Sequence, residues 1–261
     1  MGFVEKDGLR YYQFDIFKGQ PMFHAILTRA GGYSKEPFDS LNFGGTVGDD
    51  PQDVLKNHQL VYEKFGYDFD SRFDVWQVHG TKVLCTDEPR EVGALHQKAD
   101  GILTDRPEVT LFMRFADCVP ILMFDPVHKV VGIAHAGWQG SVQQIARYAV
   151  EKMVNCYGSR PEEILAGIGP SICQSCYSVG REVFEKFSDR FGAAADAFFE
   201  YRDGKYHLDL WEVNRQTLTD AGVRQIEIAE ICTACNLADW YSHRAENGKT
   251  GRFGVIMSLE G

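Results

Sequence analysis

The feature that most constrains the fold lies in residues 117–135, where two apolar runs flank a turn signal at Asp125-Pro126. This pattern is typical of a β-hairpin. Proline suits the first central position of a tight turn, because its ring already fixes the φ that the turn requires. A turn centred between Pro126 and Val127 pairs residues whose numbers sum to 253.

This hairpin brings Cys118 and His135 together. In the predicted register they lie directly opposite each other on one face, with Cβ atoms about 5 Å apart. A metal ion can join such a pair, because Zn–S bonds are about 2.3 Å long and Zn–N bonds about 2.0 Å. Pro120 weakens the register by removing one ladder hydrogen bond, and a slip of one residue would turn the two side chains to opposite faces.

His79, which precedes Gly80, is the natural third ligand. Gly80 and Gly137 remove side chains beside two of the three candidate ligands, which leaves room for a substrate. Three protein ligands with an open fourth position are the arrangement of a catalytic zinc. The residues alone leave a second interpretation open, in which both histidines are hydrogen-bonded core residues and Cys118 is a small apolar residue.

Periodicity predicts an α+β fold with largely mixed or antiparallel sheets, because strands and helices do not alternate in a strict βαβ rhythm. A buried stripe and a closing Gly158 mark the clearest helix, and Asp209 is placed to cap another. The predicted strands are Val75–Leu84, Val109–Phe115, Pro120–Phe124 and Lys129–Ala136. The predicted helices are Ser141–Tyr157, Glu182–Phe191 and the segment from Asp209 to Gly222.

The length allows one large domain or two small ones, and the absence of a repeat, a low-complexity tract or a Pro/Ser-rich linker predicts a single domain over residues 1–261. A net charge of -10 argues against nucleic acid or an anionic membrane as the main partner, so a few local cations must hold any anionic substrate. The chain begins without the basic and apolar pattern of a signal peptide, and no apolar run approaches the roughly 20 residues of a membrane span. Seven cysteines favour reduced thiols or metal ligands over disulfides. We therefore expect a cytoplasmic protein.

An ordered series of short motifs covers nearly the whole chain. The motifs are Thr28-Arg29-Ala30-Gly31-Gly32, Ser40-Leu41-Asn42-Phe43-Gly44, Gln77-Val78-His79-Gly80, Ala99-Asp100-Gly101, Ala116-Asp117-Cys118-Val119-Pro120, Ala134-His135-Ala136-Gly137-Trp138, Gly169-Pro170-Ser171-Ile172, Tyr241-Ser242-His243-Arg244 and Thr250-Gly251-Arg252. In these motifs the chain resembles the YfiH-like family of purine nucleoside phosphorylases, long labelled polyphenol oxidase or laccase domain proteins.

The resemblance implies zinc bound by His79, Cys118 and His135. It also implies phosphorolysis of adenosine, inosine or methylthioadenosine to the free base and ribose 1-phosphate, with adenosine deamination as a companion activity. A YfiH-like fold implies, by analogy, a likeness to the catalytic fold of the cytotoxic necrotizing factor deamidases. The family usually has arginine where this chain has Gln139, which leaves phosphate binding and substrate preference less defined.

Four further residues are candidates for the chemistry. Arg29 and Arg244 are candidate phosphate clamps, because guanidinium groups make bidentate contacts to oxyanions. Asn42 is a candidate for binding the ribose or the base, and Asp117 for supporting Cys118 or accepting a proton. Each also has a structural interpretation: a surface arginine, a turn-forming asparagine, or a carboxylate that binds nearby amides.

Other functions stay open on the sequence. Two histidines and one cysteine are also the equatorial ligands of a blue-copper site, so copper and an oxidase activity are alternatives to zinc. A cysteine hydrolase with Cys118 as nucleophile and His135 as base is a further alternative, as is a metal-binding module without catalysis. The pairs Cys173/Cys176 and Cys232/Cys235 have the Cys-x-x-Cys spacing of a four-cysteine zinc site, although the gap between them is much longer than in a zinc ribbon.

Overall fold

Two six-stranded sheets and five helices make up the structure, a computed structural model that describes residues 2–260. The strands are β1 (Gly2–Lys6), β2 (Leu9–Gln13), β3 (Met22–Leu27), β4 (Arg72–Asp74), β5 (Val83–Cys85), β6 (Gly101–Thr104), β7 (Thr110–Phe115), β8 (Val119–Asp125), β9 (Val130–Ala136), β10 (Leu165–Ile168), β11 (Ser178–Val179), β12 (Phe199–Arg202), β13 (Lys205–Leu208), β14 (Gln225–Ile228) and β15 (Phe253–Leu259). The helices are α1 (Pro51–Phe65), α2 (Trp138–Val142), α3 (Ile145–Tyr157), α4 (Arg181–Phe191) and α5 (Leu210–Asp220).

Both large sheets are mixed, as predicted. The first has the strand order β1-β2-β3-β15-β7-β4 and the second β14-β10-β8-β9-β6-β5, while β11, β13 and β12 form a small third sheet. Neighbouring strands are antiparallel except for the parallel pairs β4–β7, β5–β6 and β10–β14. Within residues 2–260, no helix is both long and apolar enough to cross a membrane.

The alternation of side chains along the strands builds four layers. In β7, Phe112 packs outward with Val61 and Tyr62 of α1, whereas Leu111 and Met113 face inward. The inward residues share one apolar cluster with side chains of β8 and β9 from the second sheet. The other face of that sheet packs against α3, α4 and α5. The order of layers is therefore helix, sheet, sheet, helices, and both faces of each sheet are buried.

The chain passes between the two sheets several times, and these crossings position the site. Residues 75–82 connect β4 of the first sheet to β5 of the second, and residues 116–118 connect β7 to β8. Residues 229–252 return the chain from β14 to β15. His79 and Cys118 therefore lie on crossings between sheets, whereas His135 lies inside β9.

Most predicted elements are confirmed within one or two residues, but two are wrong. The predicted strand Val75–Leu84 is mostly an irregular crossing, in which Trp76 forms an isolated bridge with Lys98 and only Val83 and Leu84 belong to a strand, β5. The predicted helix Ser141–Tyr157 is two helices, α2 and α3, because Gln144 between them has a φ of 65°. A left-handed residue interrupts a right-handed helix. The predicted ends are correct, since Gly158 has a φ of 75° and the Asp209 side chain accepts from the amide of Glu212.

A buried carboxylate at the end of β4 collects several cationic side chains. Asp74 lies 2.7 Å from Arg90, 3.0 Å from His96, 3.3 Å from Arg114 and 3.6 Å from Arg72. Burial alone would raise the pKa of Asp74, but the hydrogen bond from His96 and the charges of Arg114 and Arg72 hold it well below its usual range. The carboxylate thus stays charged and fixes guanidinium groups beside the first sheet.

We expect Asp74→Asn to lower the free energy of unfolding by about 3 kcal/mol near neutral pH, because it leaves buried guanidinium groups without a counter-charge. Folding lowers the pKa of Asp74. The stabilisation is therefore fully present above the unfolded-state pKa of about 3.9 and is lost progressively as the pH falls below it. Urea unfolding at about pH 7 and about pH 3 measures the difference between the two proteins, which should shrink at the lower pH.

The matched control is Asp87→Asn, which removes an exposed carboxylate that is 3.5 Å from Arg106. A solvated pair of this kind contributes less than about 1 kcal/mol. Equal losses of stability in the two variants would contradict the role given to Asp74.

Candidate active site

His79, Cys118 and His135 meet at one end of the two sheets. Their candidate ligand atoms all lie within 4.8 Å of one another. The two imidazole rings are edge to face, with centroids 4.8 Å apart. His135 is buried, Cys118 is half-buried and His79 is exposed, so the cluster opens to solvent on one side.

The hairpin predicted between Cys118 and His135 forms, but its register differs by two residues. His135 pairs with Pro120, so β8 and β9 join residues whose numbers sum to 255 rather than 253. The Asp125 carboxylate accepts from the amides of Val127 and His128 and so closes a wider turn than predicted. Because side chains alternate with a period of two, this shift keeps Cys118 and His135 on one face as diagonal neighbours.

Asp100 organises both histidines. This fully buried carboxylate accepts from the amides of Val78, His79 and Gly80, with distances between 2.7 and 3.2 Å. It also lies 2.9 Å from Nδ1 of His135. An Nδ1–H that donates to Asp100 leaves Nε2 of His135 as the acceptor facing the cluster. Asp100 therefore shapes the crossing that carries His79 and sets the orientation of His135.

Gly137 allows the three ligands to approach. A Cβ atom at this position would lie 2.8 Å from Nδ1 of His79 and 2.9 Å from Sγ of Cys118. The sequence predicts that Gly137 leaves room for a substrate, but the side chains of His79 and Cys118 fill this space. At Gly80, in contrast, an added Cβ would have only ordinary contacts, the nearest at 3.6 Å to Asp100.

Cys118 and His135 stabilise each other's charged forms. Burial alone would raise the pKa of the Cys118 thiol, but the charges and hydrogen bonds of His135 and His79 lower it. Burial alone would lower the pKa of His135, but the Cys118 thiolate and the Asp100 carboxylate raise it. The arrangement thus favours a thiolate at Cys118, which is the form that binds metals and acts as a nucleophile.

The side chain of Asp117 holds the loop that carries Cys118 in place. It has a φ of 78°, which turns the chain sharply between the two sheets. Its carboxylate accepts from the hydroxyl of Thr233 at 2.7 Å and from the backbone amide of Arg244 at 2.6 Å. It is therefore tied to the return crossing 229–252 and supports Cys118 through the backbone.

A cavity of about 730 Å³ opens beside the three candidate ligands. Three aromatic side chains, Trp76, Trp138 and Tyr177, line it together with polar and cationic groups. This combination of apolar walls and a few placed polar groups is typical of a small-molecule site.

Three guanidinium groups face this cavity. Arg114 is held by Asp74, whereas no carboxylate among residues 2–260 lies within ion-pair distance of Arg244 or Arg252. Arg252 donates to the carbonyls of Thr250 and Gly251, and Arg244 lies over the ring of Tyr177, 4.8 Å from its centroid. Arg244 also donates to the carbonyl of Ser178 at 2.7 Å. Neutral partners thus hold both guanidinium groups, and their charge remains available to an anion.

Arg29 and Asn42 do not line the cavity. Arg29 is paired with Asp39 at 3.4 Å and with Glu246 at 3.1 Å, so its guanidinium is already neutralised. The geometry therefore gives no support to Arg29 as a phosphate clamp. Asn42 is fully buried and accepts from the amides of Gly44 and Arg252. It positions two parts of the cavity wall.

Several functional groups were missed in the sequence. Asp100 and Arg252 belong to the motifs Ala99-Asp100-Gly101 and Thr250-Gly251-Arg252. No local pattern assigns them a role, because their hydrogen-bond partners lie far away in the chain. Arg114 is a charged residue inside an otherwise apolar strand, and this interruption is the sign in the sequence that could have marked it as a candidate site residue. Gln139 is exposed and faces the same cavity.

The three ligands fit a zinc ion or another late transition metal. A thiolate and two imidazoles are a ligand set that zinc and copper share. The contact from His135 to Asp100 is the carboxylate–histidine arrangement common at zinc sites. The exposed side of the cluster faces the cavity, so a bound ion would be accessible to a substrate or water.

The chain matches known proteins over nearly its full length. Residues 23–260 match the family model described as multi-copper polyphenol oxidoreductase laccase. The chain is 40% identical over 243 residues to the purine nucleoside phosphorylase YlmD of Bacillus subtilis (strain 168), covering 90% of this chain and 87% of that protein. It is 36% identical over 235 residues to the purine nucleoside phosphorylase YfiH of Escherichia coli (strain K12), covering 89% of this chain and 91% of that protein.

Two solved structures share the fold. YlmD from Geobacillus stearothermophilus has a TM-score of 0.92 at 32% identity, with 99% of each chain covered. The hypothetical protein YfiH of Bacillus licheniformis has a TM-score of 0.90 at 37% identity, with 98% of each chain covered. The predicted resemblance is confirmed: this chain belongs to the YfiH and YlmD family, whose model is described as multi-copper polyphenol oxidoreductase laccase.

Proposed function

We propose that this chain is a zinc-dependent purine nucleoside phosphorylase that converts adenosine, inosine or methylthioadenosine and phosphate to the free base and ribose 1-phosphate. The observation that carries the proposal is the cavity in which Arg244 and Arg252 lie near the cluster of His79, Cys118 and His135. The names of the relatives support the nucleoside substrate.

The reaction requires phosphate to be held at the anomeric carbon. A phosphate oxygen forms a bond to C1′ while the bond from C1′ to the purine nitrogen breaks, and the base leaves with that electron pair and takes up a proton. Arg244 and Arg252 supply positive charge for the incoming anion, since guanidinium groups bind oxyanions through parallel hydrogen bonds. In a chain with a net charge of -10, this local charge is what attracts phosphate.

The purine needs a flat apolar surface. Trp76 is half-exposed and lines the cavity together with Trp138 and Tyr177. Aromatic rings of this kind stack on purine bases, and a cavity of about 730 Å³ lies within the range of small-molecule sites.

His79, Cys118 and His135 would hold the zinc ion. When bound there, zinc supplies Lewis-acid chemistry at the edge of the cavity. Asp100 holds His135 in the orientation that binding requires, and Asp117 ties the backbone that precedes Cys118 to the return crossing 229–252. We assign adenosine deamination to the same cavity as a second activity.

A cysteine hydrolase is a second candidate function. Cys118, His135 and Asp100 have the order of a nucleophile, a base and an orienting carboxylate, with Asp100 2.9 Å from the imidazole of His135. In this alternative the thiolate attacks a substrate carbonyl directly and needs no metal.

The first test is phosphate-dependent release of adenine from adenosine by the purified protein. We expect His79→Ala to lower kcat/KM at least about a hundredfold, because it removes one of the three metal ligands. Liquid chromatography of the products, with and without phosphate, measures the release. The control is His128→Ala at the tip of the β8–β9 hairpin, which should retain activity. If no purine nucleoside yields free base, phosphorolysis is wrong.

The same preparations separate the alternatives. Oxidation of a phenolic substrate that depends on copper, without nucleoside turnover, would identify an oxidase. Covalent trapping of Cys118 by an electrophile, with full activity after chelation, would identify the hydrolase.

The second test addresses phosphate binding. We expect Arg252→Gln to raise the KM for phosphate at least about tenfold and to change the KM for the nucleoside much less, because a charge-assisted contact to the anion is lost. Steady-state kinetics with each substrate varied in turn measures both values. Arg181→Gln, at an exposed position of α4, is the control; equal effects on both KM values would contradict a phosphate role.

The third test concerns the space at Gly137. We expect Gly137→Ala to weaken metal affinity at least about tenfold, because its Cβ would push the side chains of His79 and Cys118 apart. Competition with a chelating dye measures the affinity. Gly80→Ala adds the same methyl group with only ordinary contacts and should bind metal as the wild type does. Identical affinities for the two variants would contradict the steric argument.

A further inference from the structure

Four cysteines form a second cluster outside the proposed active site. The sulfur atoms of Cys173, Cys176, Cys232 and Cys235 all lie within 4.8 Å of one another. Sγ of Cys176 is 3.4 Å from Sγ of Cys235, and the backbone amide of Cys173 donates to Sγ of Cys232 at 3.3 Å. The two Cys-x-x-Cys pairs of the sequence, which are far apart in the chain, therefore face each other.

Backbone pairing brings the two loops together. Ser171 and Cys232 form a parallel bridge, in which the amide of Ser171 donates to the carbonyl of Ile231 and the amide of Thr233 donates to the carbonyl of Ser171. The amide of Cys176 donates to the carbonyl of Cys173 at 3.1 Å, and residues 233–235 form a turn. The two pairs thus direct their sulfur atoms to one point.

The chemistry of four thiolates selects a narrow group of metals. Tetrahedral zinc with bonds of about 2.3 Å separates its sulfur ligands by about 3.8 Å, which these loops reach with small adjustments. Four sulfur ligands are typical of zinc or iron, whereas calcium and magnesium require oxygen. A set of four protein ligands leaves no open position, so such a site is structural.

We propose that Cys173, Cys176, Cys232 and Cys235 form a second, tetrathiolate zinc site that joins the loop before Tyr177, a residue of the cavity wall, to the loop that supports Asp117. Binding replaces four S–H bonds by four Zn–S bonds and releases the thiol protons to water. No group is oxidised or reduced. The proposal is independent of the nucleoside reaction, because it rests only on the geometry of these loops.

The position of the cluster explains what such a site would stabilise. Tyr177 follows Cys176 directly and lines the cavity beneath the guanidinium of Arg244. Thr233 follows Cys232 directly and donates to Asp117, the neighbour of Cys118. A metal at the cysteines would therefore fix one aromatic wall of the cavity and the support of one ligand of the active site.

A pair of disulfides is the competing state of the same cysteines. The distance of 3.4 Å between Cys176 and Cys235 is well beyond the S–S bond of about 2.05 Å, so these two are thiols in the structure. Oxidation would remove two hydrogens for each disulfide formed and would exclude the metal.

The test is the zinc content of the full-length protein and three variants, purified under reducing conditions and measured by elemental mass spectrometry. We expect two zinc ions per chain in the wild type, and one in Cys235→Ser and in His79→Ala. Cys156→Ser, which changes an exposed cysteine outside the cluster, should keep both. We also expect Cys235→Ser to melt at least about 5 °C below Cys156→Ser, because a structural metal stabilises the folded state.

X-ray absorption at the zinc edge of His79→Ala gives a second measurement that does not depend on the folding of Cys235→Ser. Four sulfur neighbours at about 2.3 Å would support the site. Nitrogen or oxygen neighbours, full zinc content in Cys235→Ser, or intact masses that show disulfides in the reduced wild type would each overturn it. Retention of one zinc by Cys235→Ser keeps this result separate from any failure of the His79 site.

Discussion

The carboxylate of Asp100 is the group on which the geometry of the candidate active site depends. It accepts from three consecutive backbone amides of the crossing 75–82 and also binds the imidazole of His135. Burial raises the free energy of a charged carboxylate, but these contacts more than compensate and lower the pKa of Asp100. The position of Asp100 is itself fixed, because its amide donates to the carbonyl of Lys82 and its carbonyl accepts from His135. One buried charge thus positions two ligands from separate segments.

The same principle organises the cations of the cavity. The protein as a whole is acidic, so its surface repels anions. Inside the cavity, Arg114 is fixed by a carboxylate, whereas Arg252 is fixed by neutral carbonyl groups and keeps its full charge available. The charge of Arg29, in contrast, is neutralised by the carboxylates of Asp39 and Glu246. The distinction between a structural and a functional arginine therefore lies in the partners of each guanidinium.

The sequence predicted the positions of the helices and strands more accurately than the contacts between them. The shared face of Cys118 and His135 followed from the alternation of a hairpin, even though the register was off by two residues, because the Asp125 side chain closes a wider turn. The crossing 75–82 looked like a strand because its apolar composition resembles one. The amides of residues 78–80 instead donate to Asp100, and the Gln77 side chain pairs with the backbone of Arg114 in place of a strand. Such side-chain substitutes for sheet pairing leave no periodic signal.

The location of the candidate ligands at the crossings between sheets has a consequence for the order of folding. His79 and Cys118 lie on two separate links between the sheets, and His135 lies on a central strand of one of them. Cys118 and His135 meet when the β8–β9 hairpin forms, whereas His79 joins them only when the crossing 75–82 is in place, so the unfolded chain does not offer the complete set of three ligands. We therefore expect an ion at this centre to bind all three residues only after the hairpin and the crossing have come together.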